Sequence, residues 1–190
     1  MKKRLLTSLV VLTGIFLLTA SIVWAAPAPV AKTGQTTSYR TGDDGDHEKG
    51  IASPSPRFTD NGDGTVRDNL TGLMWAKNAN LNNGAMTWNN AIDYANNLSL
   101  GSTGCGGTAT DWRLPNHNEL LSLIDKANES PAMPTGHPFS NIQGGHYWTS
   151  TTSVWQPAQN AWVVAIGFNG VAETYVKSWT GSVLPVRGGN

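Results

Sequence analysis

Hydrophobic positions along the chain switch between two periods, and the switches mark its elements. Phe58-Thr59-Asp60 and Thr65-Val66-Arg67-Asp68 flank Asn61-Gly62-Asp63-Gly64. The Asn-Gly and Asp-Gly pairs accept positive φ, so this stretch predicts a β-hairpin. Leu73-Met74-Trp75-Ala76 is a short apolar run suited to a buried strand. Beyond it the period lengthens. Thr87 can cap a helix whose Trp88, Ala91, Ile92, Ala95 and Leu98 recur at spacings of three and four. Asn116 with Glu119 forms a capping-box pattern just after Pro115, and Leu120, Leu123, Ile124 and Ala127 would be the buried stripe of a second helix. From residue 146 the pattern is extended again, with strands predicted over 146–152, 161–168, 171–176 and 182–187. Asn169-Gly170 reads as a two-residue hairpin turn between the middle two. Strands, two helices, then strands predict an α+β domain with a mainly antiparallel sheet.

Two segments fall outside this grammar. Lys2, Lys3 and Arg4 precede an apolar run from Leu5 through Val23, and Val23-Trp24-Ala25 stands before Ala26-Pro27. A basic start, an apolar centre and small residues at −1 and −3 read as a secretory signal over residues 1–25, cleaved after Ala25. An uncleaved membrane anchor is the weaker alternative, since the run is nearly long enough to span. No cysteine stands near the cleavage point to carry a lipid. Residues 26–56 are rich in Ala, Pro, Thr, Gly, Ser and Asp, with almost no large apolar residues, and read as a linker or extension. Within them Asp43-Asp44-Gly45-Asp46-His47-Glu48 gathers carboxylates. The spacing is not that of an EF-hand loop, and a solvated acidic turn is the preferred reading over a calcium site. The domain proper is 57–190.

Composition narrows the function classes. Of 190 residues, 39% are apolar and 14% charged, so the chain can bury a core; 21 Gly, 10 Pro and 8 Trp favour turns and aromatic packing over long helices. Lys plus Arg equals Asp plus Glu at 13 each. Without Lys2, Lys3 and Arg4 the balance is 10 basic against 13 acidic residues, a net charge of −3. That excludes a polybasic surface, and nucleic acid is not expected as a partner. Cys105, in Gly104-Cys105-Gly106-Gly107, is the single cysteine. It can form no internal disulfide, and a structural or incidental thiol is its simplest role.

At this point the string of motifs becomes specific. Phe58-Thr-Asp-Asn-Gly-Asp-Gly-Thr-Val66, Asp68-Asn-Leu-Thr-Gly-Leu-Met-Trp75, Asp111-Trp-Arg-Leu-Pro-Asn116, Tyr147-Trp-Thr-Ser-Thr-Thr152 and Val186-Arg-Gly-Gly189 occur in order. Together they resemble the Lcl C-terminal domain family, named for the C-terminal domain of a collagen-like adhesin, over roughly 57–189. The Trp-Arg-Leu-Pro and Val-Arg-Gly-Gly segments are also similar to formylglycine-generating domains. The resemblance implies a C-type-lectin-like fold: two helices packed on a compact Trp-rich sheet, with the first and last strands close together. It implies recognition rather than chemistry, and possible homo-oligomers. The namesake binds sulfated glycans, but a net charge of −3 offers no cluster of Lys and Arg for sulfate. Relatives often carry a further cysteine in the first helix; the matching position here is Ala95.

Known chemistries fit poorly. Formylglycine-generating enzymes use a pair of cysteines with copper, and one cysteine cannot supply that pair. His47, His117, His137 and His146 show no metal-ligand spacing. A calcium-dependent lectin would need Gln-Pro-Asp where this chain has Gln156-Pro157-Ala158, and Ala158 has no carboxylate. No catalytic residue, cofactor or metal is therefore assigned. The residues proposed to bind a ligand are Trp155, Gln156, Gln159 and Asn160, in a loop between strands, and Trp179. Aromatic faces stack on sugar C–H faces while amides bond hydroxyls, which suits a neutral glycan or a protein surface. The alternative is that Trp155 or Trp179 plugs the core. Trp75, Trp112, Trp148 and Trp162 are expected in the core. The overall expectation is an exported, non-enzymatic recognition or adhesion module, periplasmic or secreted, taking a glycan or surface protein. The alternative is a self-assembling structural component of the envelope.

Overall fold

The computed structural model describes residues 30–98 and 110–188. The expected signal segment, Cys105 and Gly189 lie outside the described residues. The first sheet begins with the expected hairpin. Strands β1 (Phe58–Asp60) and β2 (Thr65–Asp68) pair antiparallel, with Thr59 opposite Arg67. The turn between them runs on its own side chains. Asp60 Oδ1 accepts from the Gly62 amide at 3.0 Å, and Asp63 Oδ1 accepts from the Thr65 amide at 3.0 Å. Gly62 and Gly64 take φ of 75° and 87°, which only Gly adopts without penalty. Strand β3 (Met74–Ala76) adds to β2, and the last strand, β7 (Val186–Arg187), adds to β3, giving the order β1-β2-β3-β7. The first and last strands thus share one sheet.

Between these strands stand two short helices and a second sheet. Helix α2 (Trp88–Asn96) buries Ala91 and Ala95; Thr87 precedes it but makes no side-chain capping bond. Helix α3 (His117–Leu121) has the full capping box, Asn116 Oδ1 accepting from the Glu119 amide and Glu119 Oε2 from the Asn116 amide. It is shorter than the apolar stripe predicts. The chain leaves the helix after Leu121 in tight turns that still bury Leu123, whereas Ala127 is exposed. The second sheet is β4 (Tyr147–Thr152), β5 (Asn160–Val164) and β6 (Ala172–Val176), in that order and antiparallel. β5 and β6 are joined not by a two-residue turn but by the longer loop 165–171. Gly167 and Gly170 lie hard against the Gln143 carbonyl and Ile124, so the loop bends inward before the strands reach Asn169.

One sheet was expected and two are present. The segment 182–187, read as one strand, divides between them: Ser182 bridges Tyr147 in parallel, and Val186 pairs Trp75. Pro185, which has no amide to donate, separates the two halves. Tryptophan fills both cores. Trp75, Trp112, Leu120, Leu123, Tyr147 and Leu184 belong to the larger cluster; Trp148, Val163, Ala161 and the small face of α2 form the other. Trp162 departs from expectation. It is half-buried and lies on the His117 ring at 4.8 Å, a contact between β5 and α3.

Residues 30–56, expected as a linker or extension, fold back on themselves. Ala31 bridges Ile51, and the short helix α1 (Asp44–His47) sits between them. The Thr33 carbonyl accepts from the Lys126 amide at 2.7 Å, fastening this loop to the chain after α3. The carboxylates of 43–48 do not converge. Asp43 accepts from the Tyr39, Arg40 and Asp46 amides, Asp46 from Gly42, Asp44 from the Thr33 hydroxyl, and Glu48 pairs with Lys32 at 3.0 Å. Turn formation accounts for Asp43 and Asp46, and ties to residues 32 and 33 account for Asp44 and Glu48.

Candidate functional site

The loop from Ser153 to Gln159 joins β4 to β5, and it is built to hold its shape. The Ser153 amide donates to the Asn160 carbonyl at 3.0 Å, closing the base. Gln156 takes a left-handed φ of 72°, and its carbonyl receives the amides of Gln159 and Asn160 at 3.0 and 2.9 Å. A non-Gly residue in that region costs free energy that the surrounding bonds must offset. The Asn160 side chain does part of this, donating to Gln156 Oε1 at 3.1 Å. A further tie comes from the residue just after β6: the Lys177 amide donates to the Gln159 carbonyl at 2.7 Å, and Lys177 Nζ to the Pro157 carbonyl at 2.8 Å.

At the tip of this braced loop stand Val154 and Trp155, 96% and 74% exposed. Trp155 is therefore no core plug. Gln159 is also at the surface. Asn160 is not a surface group: it is 7% exposed, at the loop base, and its role is to position Gln156. Gln156 in turn is partly occupied by that bond. Of the five residues expected to contact a ligand, the loop presents Trp155 and Gln159 freely.

Trp179 lies elsewhere, on the crossover that leaves β6 and returns beside β4. Its ring is half-buried, 4.7 Å from Tyr175 at a tilt of 30°, with Trp148 at 5.7 Å and His146 at 5.9 Å edge-on. The crossover can lie this close because residue 181 is Gly: a Cβ there would come within 2.8 Å of the Trp179 ring. Around it are groups that the motifs did not single out. Glu173 and Tyr175 alternate along β6 and so share one face, and Lys177 follows in the turn just after the strand. Glu173 Oε2 is 3.6 Å from His146 Nε2, and Lys177 Nζ sits 4.0 Å over the Trp88 ring. Partial burial pushes the Tyr175 phenol above its ordinary value of 10.0, and the Glu173 carboxylate adds to the rise. The period-two pattern of 173 and 175 was the signal available in the sequence.

The remaining candidates are structural. His117 and His137 each have a buried Nδ1 with no bond, and burial lowers both pKa values. Each packs on an aromatic ring, Trp162 or Phe139, rather than on a nucleophile or carboxylate. Among the described residues no three His, Cys, Asp or Glu side chains stand together as a metal site would require. Clefts of about 190 and 330 Å³ occur between residues 32–34 and Arg57 and around His137, away from the Trp155 loop.

The five recognised motifs turn out to be scaffold. Asp68, fully buried, receives Arg57 on both oxygens at 2.7 and 2.8 Å, the Leu70 amide at 2.9 Å and the Thr71 hydroxyl at 2.7 Å. Arg113 grips Glu119 at 2.6 and 2.7 Å and donates to the Gly188 carbonyl, while Arg187 pairs with Asp111 at 2.9 Å. The Trp-Arg-Leu-Pro and Val-Arg segments are thus neighbours in space. Comparison with family models agrees: the Lcl C-terminal domain model matches residues 64–187. The chain belongs to the Lcl C-terminal domain family. The match runs from the end of the first turn through β7 and includes strands β2 to β7, α2, α3 and the Trp155 loop, with β1 just before it. Family membership makes this an adhesin-associated type of domain. Among the described residues no helix is long and apolar enough to cross a membrane. No curated protein matches the chain.

Proposed function

We propose that the protein is an exported, non-enzymatic recognition and adhesion module on a C-type-lectin-like scaffold, gripping a glycan or surface protein through the β4–β5 loop and the neighbouring Trp179 surface. The carrying observation is the exposure of Val154 and Trp155 at 96% and 74% on a loop braced from both ends. Exposed apolar side chains favour aggregation and are kept where they are used, and a rigid aromatic anchor loses little conformational entropy on binding. Among the described residues near the loop no nucleophile is paired with a base, which supports binding over turnover. With Lys2, Lys3 and Arg4 removed along with the expected signal segment, the net charge of −3 speaks against sulfated polymers and nucleic acid as ligands. A screen of the purified protein against glycans and envelope surface proteins tests the reading. Saturable capture of one ligand is the expected result; hydrolysis or oxidation of a captured ligand would overturn it.

A second reading rests on β6. Among the described residues it is paired on one side only, by β5, and Val171 and Val176 at its two ends are 37% and 52% exposed. Such an edge supports self-assembly into an envelope structure. Light scattering separates the two, since a stable oligomer without ligand capture favours assembly and a ligand-binding monomer removes it.

A further inference from the structure

We propose that Trp179 and Tyr175, with Glu173 and His146 beside them, form a stacking platform for an uncharged pyranose, a sugar with equatorial hydroxyls and bare C–H faces. The inference rests on the recognition reading above and names the ligand chemistry of its second contact surface. Three distances decide what this cluster can hold. Ring centroids stand 4.7 Å apart for Tyr175 and Trp179, 5.0 Å for His146 and Tyr175, and 5.9 Å for His146 and Trp179. Rings so close fill the space between them, so no ammonium group can enter as it would an aromatic cage. What remains is the outer surface of a pair of rings tilted by 30°, which suits a flat apolar face. A pyranose with axial C–H bonds presents such a face and still has hydroxyls around its rim.

The rim groups match that second requirement. The Glu173 carboxylate, its side chain 48% exposed, accepts hydrogen bonds from hydroxyl donors, and the Tyr175 phenol and His146 imidazole stand beside it. The same carboxylate repels sulfate and uronate. Lys177, just beyond β6, is already committed to the Pro157 carbonyl at 2.8 Å and to the Trp88 ring. A half-exposed carboxylate and a committed ammonium select against anionic sugars. Gly181 belongs to the design, because any side chain there would push the Trp179 ring off Tyr175.

The test titrates wild type, Glu173→Gln and Trp179→Leu with cellohexaose, chitohexaose and heparin, following the Trp179 indole N–H resonance in the first two and that of Trp148, 5.7 Å away, in all three. The expected result is a saturable shift of the Trp179 signal by at least one of the two neutral oligosaccharides. That binding falls about tenfold or more in Trp179→Leu and weakens in Glu173→Gln, and heparin gives no shift. Trp179→Leu is judged only if its remaining spectrum is native; Glu173→Gln, at an exposed site, keeps the test open otherwise. No shift by either neutral sugar, unchanged affinity in both variants, or preference for heparin overturns the platform. If the protein still captures a surface ligand through Trp155 in that event, the recognition reading stands without the platform. If it captures nothing, both fall.

Discussion

Single residues carry this fold because short elements leave little redundancy. The clearest case is Arg57 with Asp68. The Arg57 side chain is 9% exposed and Asp68 fully buried, and Arg57 Nη2 also donates to the Ser122 carbonyl at 2.9 Å, linking β2 to the end of α3. Removing one partner of such a pair leaves the other charge stranded without water. Arg57→Met should therefore cost about 3–5 kcal/mol in a denaturant titration. Arg57→Met with Asp68→Leu should recover much of that loss, because no buried charge is then left unpaired. A double variant no better than the single one would show that the pair acts mainly through the bond to Ser122. At the other extreme, Asn160 is small, uncharged and makes its side-chain bond to Gln156. Asn160→Ala should release Gln156 from its left-handed conformation, broadening the amide signals of 154–159 while the sheet signals stay sharp.

At the scale of elements, the capping box of α3 was legible because it is a local contract between Asn116 and Glu119, three residues apart. The structure adds that Glu119 also receives Arg113, so one carboxylate starts the helix and fastens the preceding segment. Asn116→Ala should lower stability by about 1 kcal/mol, measured by urea unfolding. The helix's early end was not legible. Leu123 and Ile124 continue a helical apolar spacing, but tertiary packing buries them from turns instead, and periodicity does not distinguish the two. The β5–β6 connection was misjudged for a related reason. Asn169-Gly170 is a good local turn, but Gly167 and Gly170 are drawn inward by contacts with Gln143 and Ile124, distant in sequence. Trp155 posed the reverse difficulty: its neighbours are polar in sequence whether it points in or out, and only the bracing of the loop decides.

The whole molecule joins two sheets through the chain segments around Arg113 and Arg187, and this arrangement should make it sensitive to acid. Burial works against ionisation of Asp68 and Glu119, but Arg57 and Thr71 in one case, and Arg113 with the Asn116 amide in the other, outweigh it. Both carboxyls are held below their ordinary values of 3.8 and 4.5. A carboxyl with a lowered folded pKa stabilises the protein fully above its unfolded value and loses that contribution as pH falls through the folded one. The melting temperature should thus change little from these groups between neutrality and pH 4.5, then fall steeply below it. A curve equally steep in Arg57→Met/Asp68→Leu would assign the acid loss to other groups. The family motifs were readable in the sequence because they build this scaffold; the surface proposed for binding was only half readable, because it is assembled from a loop tip and one face of β6. The most direct test of the account is the dissociation constant of the captured ligand for wild type and Trp155→Ala, each measured beside its melting curve. The account predicts capture weakened about tenfold or more with the melting temperature nearly unchanged, as befits a side chain 74% exposed. Undiminished capture, or loss of the fold, would contradict it.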